Sequence, residues 1–216
     1  MHLIESIQPI LISSDYGNNN VLGQPLGLKT IGITKVTTKD GLIGYGESYI
    51  AIYVPELFEQ LVYFIENKIK NKFFNDPRDI YDSFYIPFCS SNGLLASIYS
   101  GIDIALWDIT CKKANKSLNE FLGIKNNDIL KYYFSGGSAA LNTREIEEEI
   151  NQVNKNVFKG FKMRVGRQNW DIDQERIQTV SKKWNQSLMI DAIMGTIRPA
   201  FSPIDWDEFW NVVKGN

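Results

Sequence analysis

Histidine is almost absent from this chain of 216 residues. The single one, His2, is at the N-terminus, so these residues exclude a Ser-His-Asp triad, a His-Asp dyad and a histidine metal site. Cysteine is also scarce, and Cys89 and Cys111 do not have the spacing of metal ligands. We interpret both cysteines as reduced core residues and predict a cytoplasmic protein.

Strong charge and long apolar runs are missing as well. The net charge is −2, and no block of Lys and Arg indicates nucleic-acid binding. The N-terminus lacks the basic start and apolar run of a signal peptide. The most apolar stretch, residues 93–109, contains Asp103 and Asp108 and is shorter than the ~20 residues of a membrane span. We therefore predict binding to neither nucleic acid nor membrane.

The first part of the chain has the pattern of an antiparallel meander followed by helices. The Lys39-Asp40-Gly41 turn joins the second and third predicted strands as a hairpin. The predicted strands are 3–12, 29–38 and 42–48, and the predicted helices are 55–71, 79–88, 92–114 and 117–122. The helix at 92–114 is apolar nearly all round, so we expect it to be buried.

After about residue 125, strands and helices alternate. The predicted strands are 132–140, 160–166 and 188–193, and the predicted helices are 143–156, 171–185 and 203–214, with Thr143 as the N-cap of the first. Regular alternation predicts a parallel sheet with right-handed crossovers. It fits the start of a (β/α)₈ barrel, although a whole barrel needs about 250 residues. A small open α/β sheet is the alternative.

Four segments resemble one family. They are residues 34–48 (TKVTTKDGLIGYGES), 99–123 (YSGIDIALWDITCKKANKSLNEFLG), 160–166 (GFKMRVG) and 188–195 (LMIDAIMG). Together they resemble the enolase superfamily of the mandelate racemase and muconate lactonizing enzyme type, in its acid-sugar dehydratase branch. The resemblance implies an α+β capping domain over residues 1–125. Residues 126–216 would then form the first three β/α units of an incomplete (β/α) TIM-type barrel.

Lys162 and Arg164 are two residues apart on a predicted strand, so their side chains point to the same side. Neighbouring cations disfavour each other's charge, and a lysine in such a place can lose its proton near neutral pH. The resemblance implies that this pair is catalytic and takes the proton next to a substrate carboxylate. Arginine stays protonated, so Arg164 could instead bind a carboxylate. An edge strand with two solvated charges is the alternative.

Asp191 follows the apolar strand residues Leu188, Met189 and Ile190. A carboxylate at the C-terminal end of a barrel strand indicates function, and it resembles the first of the family's three acidic Mg²⁺ ligands. The alternative is a helix N-cap or a turn aspartate. Ile193 occupies a place where the family often has Asn, which would put an apolar group at the mouth of the site. The other acidic ligands would come from later strands.

Two further segments resemble the capping loops that close on substrate in this family. They are residues 15–27 and residues 49–53. The candidates for substrate contact in them are Tyr16, Val21, Leu22, Tyr49 and Tyr53. The alternative for each is an ordinary surface-loop or core residue.

The resemblance implies part of a Mg²⁺-dependent lyase that dehydrates a sugar acid, with a racemase or cycloisomerase as the alternative within the superfamily. The partner would be a small carboxylate or sugar-acid substrate, and family members are often homo-oligomers. A hypothesis of another class is a non-catalytic, truncated fragment. It predicts that residues 1–216 alone bind Mg²⁺ poorly and turn nothing over, because most of the acidic groups are missing.

Overall fold

The chain folds as two compact units, Met1–Asp128 and Ile129–Asn216. A computed structural model describes residues 1–15, 28–86, 93–124, 130–166, 169–192 and residue 211. The sequence pattern changes three residues before this division, at residues 125–126.

The N-terminal unit contains an antiparallel sheet of four strands in the order β3-β2-β1-β4. The strands are β1 (His2–Asp15), β2 (Leu28–Thr38), β3 (Ile43–Ser48) and β4 (Phe73–Phe74). The predicted hairpin between β2 and β3 is present, and Gly41 adopts the left-handed φ of 83° that its turn requires. The two-residue strand β4 is not predicted by the sequence pattern; it pairs with His2 and Leu3.

Helices cover this sheet. They are α1 (Pro55–Ile69), α2 (Arg78–Phe84), α3 (Gly93–Ala114) and α4 (Leu118–Phe121), and a 3₁₀ turn at Tyr49–Ile52 precedes α1. Pro55 starts α1, where its missing N–H costs nothing. The core of the unit lies between α1, α3 and the sheet, and its central side chains include Ile4, Val36, Phe58, Val62, Ile102 and Leu106.

Helix α3 is long and apolar enough to cross a membrane by length and composition alone. In the structure it packs against the sheet through one side, which includes Ile98, Gly101 and Ala105. Leu94 and Ile104 are exposed, so the expected burial of the helix holds for its sheet-facing side and not for its whole circumference. The helix covers one face of the sheet, and away from the sheet its Trp107 packs on Phe121 of α4.

The C-terminal unit has the predicted alternation of strands and helices. Its elements are β5 (Tyr132–Ser135), α5 (Thr143–Gln152), β6 (Phe158–Arg164), α6 (Trp170–Lys183) and β7 (Ser187–Asp191). The strands form a parallel sheet in the order β5-β6-β7. The predicted third helix lies outside the described residues, except residue 211, which is helical.

The N-cap of α5 is Asn142, one residue before the predicted Thr143. The Asn142 side chain accepts a hydrogen bond of 3.0 Å from the Glu145 N–H, and the Glu145 carboxylate accepts one of 2.8 Å from the Asn142 N–H. This reciprocal capping box needs an acceptor three residues before Glu145, which is why Asn142 takes the place predicted for Thr143.

Candidate active site

The central strand β6 separates apolar from cationic side chains. Phe161, Met163 and Val165 are fully buried in the core formed with α5 and α6. Because successive side chains alternate across a strand, Lys162 and Arg164 project from the opposite face of the sheet. The prediction of a cationic side and a helix-facing apolar side is therefore confirmed, and the alternative of an edge strand is wrong because β6 has a partner on both sides.

Strand β7 brings Asp191 to the same place. Asp191 is its last residue and lies opposite Arg164 in the parallel register. The Lys162 Nζ lies 2.8 Å from Asp191 Oδ2, and the Arg164 Nε lies 3.9 Å from the same oxygen. The side chains of Lys162, Arg164 and Asp191 are 27%, 33% and 34% exposed. The two predicted catalytic residues and the predicted metal ligand thus form one cluster with access to solvent.

The donor chemistry of Asp191 suits a magnesium ion, because Mg²⁺ binds carboxylate oxygens and water. Its partly exposed carboxylate can contribute one ligand. Over the residues that the structure describes, no group of three or more His, Cys, Asp or Glu side chains could bind a metal ion. The cluster therefore fits one corner of a Mg²⁺ site and does not provide the whole coordination shell.

Backbone bonds connect the carboxyl ends of the three strands. The Arg164 N–H donates to the Gly137 carbonyl at 2.8 Å, and the Val165 N–H donates to the Asp191 carbonyl at 3.0 Å. The Gly137 N–H donates to Glu149 Oε2, on α5, at 2.6 Å. These bonds fix the strand ends from which the predicted site residues project.

Sequence reasoning missed a buried ion pair beneath this cluster. Arg176 and Asp173, both on α6, are fully buried, and the Arg176 NH1 lies 2.5 Å from Asp173 Oδ1. Burial raises the pKa of the Asp173 carboxyl, whereas the Gly166 N–H and Arg176 oppose that increase. The available signal was a charged pair three residues apart on the same side of the helix as Ile177 and Val180.

None of the candidates for substrate contact is among the described residues of the unit that contains this cluster. Tyr16, Val21 and Leu22 lie outside the described residues. Tyr49 and Tyr53 belong to the N-terminal unit, where Tyr49 begins the 3₁₀ turn after β3 and Tyr53 follows it, with their rings edge to face at 6.1 Å. Both are exposed, so their role in substrate contact stays a prediction.

A pocket of about 840 Å³ lies on the N-terminal unit, along the second half of α3 and the start of α4. Trp107 lines it and packs edge to face on Phe121. Asp108, also in the lining, accepts hydrogen bonds from the Tyr45 N–H at 3.1 Å and the Lys112 Nζ at 2.7 Å. No predicted site residue lines this pocket.

Comparison with known sequences links the N-terminal unit to one family. Residues 26–123 match the model of the mandelate racemase / muconate lactonizing enzyme N-terminal domain. The chain is 26% identical over 165 residues to arabinonate dehydratase of Saccharolobus solfataricus, which covers 73% of this chain and 43% of that protein. It is 28% identical over 178 residues to L-talarate/galactarate dehydratase of Salmonella typhimurium, with 78% and 44% covered. The chain thus spans less than half the length of these two relatives.

Solved structures show the same fold. An enolase from the alpha proteobacterium bal199 with bound magnesium superposes with a TM-score of 0.78 at 21% identity, over 100% of this chain and 59% of that one. An enolase from Bradyrhizobium in complex with magnesium and mandelic acid gives 0.73 at 21% identity, over 90% and 55%. The described fold is thus an enolase-type capping domain followed by part of a barrel, and residues 26–123 are similar to the N-terminal domain of the mandelate racemase / muconate lactonizing enzyme family.

Proposed function

We propose that this chain is the N-terminal portion of a Mg²⁺-dependent enzyme that removes a proton next to a carboxylate, and that the enzyme is a sugar-acid dehydratase. The observation that carries the proposal is the cluster of Lys162, Arg164 and Asp191 at the carboxyl ends of β6 and β7. Functional groups of β/α barrels are found at this end of the strands. The dehydratase relatives support the choice of reaction.

In this proposal the two cations have different roles. Lys162, in its neutral form, accepts the proton from the carbon next to the substrate carboxylate at Nζ. Arg164 stays charged and binds the carboxylate through its planar guanidinium. The Asp191 carboxylate contacts the Lys162 amine and the Arg164 guanidinium and holds these two groups close to each other. When bound at Asp191, Mg²⁺ would stabilise negative charge on the substrate carboxylate.

Dehydration then needs a leaving group on the neighbouring carbon. The electron pair left by the α-proton forms the new double bond as the β-hydroxyl departs as water, and the resulting enol becomes a 2-keto acid. This departure needs a proton donor, and among the described residues Asp191 does not belong to any group of three or more His, Cys, Asp or Glu side chains that could hold a metal ion. We therefore propose that residues 1–216 alone catalyse no turnover and bind Mg²⁺ only weakly.

A second candidate reaction shares the first step. The chain is 25% identical over 157 residues to L-Ala-D/L-Glu epimerase of Bacteroides thetaiotaomicron, which covers 72% of this chain and 39% of that protein. In an epimerase or racemase the proton returns to the same carbon, so no water is lost. A cytoplasmic location, a sugar-acid substrate and homo-oligomer formation stay predictions alongside both candidates.

The test uses two proteins: the 216-residue chain and the product of the complete reading frame that contains it. Each is incubated with Mg²⁺ and a panel of sugar acids in D₂O, and proton NMR follows loss of the α-proton signal while a colour reaction follows 2-keto acids. We expect the protein from the complete reading frame to exchange the α-proton and to form 2-keto acid, and we expect EDTA to stop both reactions. In Lys162→Met the rates of both should decrease by about 10²-fold or more. Deuterium uptake without 2-keto acid would favour the epimerase, and a Lys162→Met variant with the same rate as the unchanged protein would contradict the proposal.

A further inference from the structure

Arg176 is a fully buried arginine whose guanidinium reaches the ends of two strands. Its NH1 donates to the Arg164 carbonyl at 3.1 Å, at the end of β6. Its NH2 donates to the Ser138 carbonyl at 2.7 Å and to the Gly137 carbonyl at 3.4 Å, both in the segment after β5. One side chain on α6 therefore joins the carboxyl ends of β5 and β6.

Asp173 extends the same network by one turn of α6. Its Oδ1 pairs with Arg176, and its Oδ2 accepts a hydrogen bond of 2.7 Å from the Gly166 N–H. Gly166 follows β6 and has a left-handed φ of 90°, so this bond fixes the point where the chain leaves the strand. The pair thus contacts the backbone on both sides of Val165, at Arg164, which ends β6, and at Gly166, which follows it.

The backbone of Arg164 is held from both ends by these contacts. Its N–H donates to the Gly137 carbonyl, and its carbonyl accepts from Arg176. The next N–H, of Val165, donates to the Asp191 carbonyl on β7. The strand segment that places Lys162 and Arg164 against Asp191 is therefore hydrogen-bonded to the buried pair through the Arg164 carbonyl.

The stability of the unit does not explain why a charged pair, Arg176 and Asp173, is buried here. Burying an ion pair costs desolvation energy, and apolar replacements of similar volume are often neutral or stabilising. The Arg176 Nε has no hydrogen-bond partner in the described part of the chain, which adds to that cost. The same unit has an apolar core that includes Ile177, Val180 and Phe161.

We propose that Arg176, paired with Asp173, is a positioning residue that fixes the ends of β5 and β6, so that Lys162 and Arg164 meet Asp191. The proposal rests on the proposed function in taking this cluster as the reactive site. Arg176 acts through the strand ends, because its buried guanidinium is bonded to their carbonyls. Its loss is expected to loosen the cluster while the packing of α5 and α6 is kept.

Carbodiimide cross-linking measures this effect on the 216-residue chain itself. The reagent joins an amine and a carboxylate in contact, with loss of water, so it reports the 2.8 Å pair of Lys162 and Asp191. The pair of Lys183 Nζ and Glu147 Oε1, 2.5 Å apart, is the internal control. It joins α6 to α5 in the same unit and makes no contact with the strand ends. Peptide mass spectrometry quantifies both products.

Two variants are compared with the unchanged chain. Asp173→Leu with Arg176→Met replaces the charges by apolar groups, and Arg176→Lys keeps the charge but loses the planar fork. In each we expect the Lys162–Asp191 product to decrease about threefold or more and the Lys183–Glu147 product to stay unchanged. An unchanged Lys162–Asp191 product in either folded variant overturns the proposal.

A parallel decrease of both products in both variants also overturns it, because Arg176 would then only support the unit as a whole. If the double variant fails to fold, as circular dichroism would show, Arg176→Lys decides between these outcomes alone. The experiment needs no substrate or metal. It therefore separates failure of the positioning role from failure of the proposed reaction.

Discussion

Gly46 and Gly101 lie so close that a Cβ on Gly46 would be 1.9 Å from the Gly101 carbonyl oxygen. Strand β3 and helix α3 therefore touch backbone to backbone. A Cβ on Gly44 would likewise lie 2.0 Å from the Ala105 carbonyl oxygen. The glycines of the G-Y-G-E-S segment are thus spaced to let the long helix approach the strand.

We expect Gly46→Ala to destabilise the N-terminal unit by about 3 kcal/mol, at the upper end of the range for overpacking. The obstructing atom is a backbone oxygen, so the strand and the helix have to separate to admit the methyl group. Urea unfolding followed by circular dichroism measures the change in free energy of unfolding. Glu47→Ala is the control: residue 47 is exposed on the other face of β3, and a change within about 0.5 kcal/mol is expected. Equal stability of Gly46→Ala and the unchanged chain would contradict the close approach.

The contact between Lys162 and Asp191 should be measurable as a coupling energy. Both side chains are about one third exposed, so we expect a coupling of about 1 kcal/mol from a double-mutant cycle of Lys162→Met and Asp191→Asn. Added salt should weaken it. The control cycle uses Arg144 and Glu148, which are 2.9 Å apart but 87% and 57% exposed. A coupling at Lys162 no larger than at this control pair would count against the cluster.

The capping box of α5 leads to a prediction about two adjacent residues. Asn142→Ala should lower the free energy of unfolding by about 1 kcal/mol, because it removes the acceptor for the Glu145 N–H. Thr143→Ala should change it by less than about 0.5 kcal/mol, since Thr143 is already inside the helix. Thermal and urea unfolding of the two variants compare them directly. A larger loss in Thr143→Ala would mean that the helix begins one residue later.

The Asp76 carboxyl gives a pH prediction with a definite sign. Hydrogen bonding to Arg78 lowers its pKa from 3.8 to about 2. Because the folded value is below the unfolded one, the stabilising contribution is complete above pH about 4 and is lost as the pH falls toward 2. Carbon-detected NMR titration should show the Asp76 midpoint move up in Arg78→Gln. The Glu120 carboxyl, whose pKa is lowered by Ser117, should be unaffected; an unchanged Asp76 midpoint would contradict the role of Arg78.

Local pattern was sufficient for most elements of the fold. Strands β2 and β3 alternate and are joined by a glycine turn, and both units keep their helical periodicity, so their positions follow from neighbouring residues. The side on which Lys162 and Arg164 lie could be predicted because strand alternation is rigid. Their contact with Asp191 needed the register of β6 and β7, which the spacing of the β/α units suggests and the structure provides.

Other features depend on contacts that no local pattern contains. Strand β4 has two residues and exists because Phe73 and Phe74 meet the start of β1. From the local sequence, Arg176 is predicted to be an ordinary exposed arginine of a helix. Its burial is explained only by its hydrogen bonds to the carbonyls at the strand ends. Buried polar networks of this kind are set by tertiary structure, so sequence periodicity predicts an apolar residue in their place.

The backbone contact between β3 and α3 also has a consequence for synthesis. Lys112 Nζ donates to the Ile43 carbonyl at 2.9 Å across 69 residues of sequence. At ordinary elongation rates that separation corresponds to roughly 3–14 s. Over that interval the α3 surface that covers Gly44 and Gly46 in the folded unit has not yet been made. The core between β3 and α3 therefore cannot form before Gly93–Ala114 has been translated.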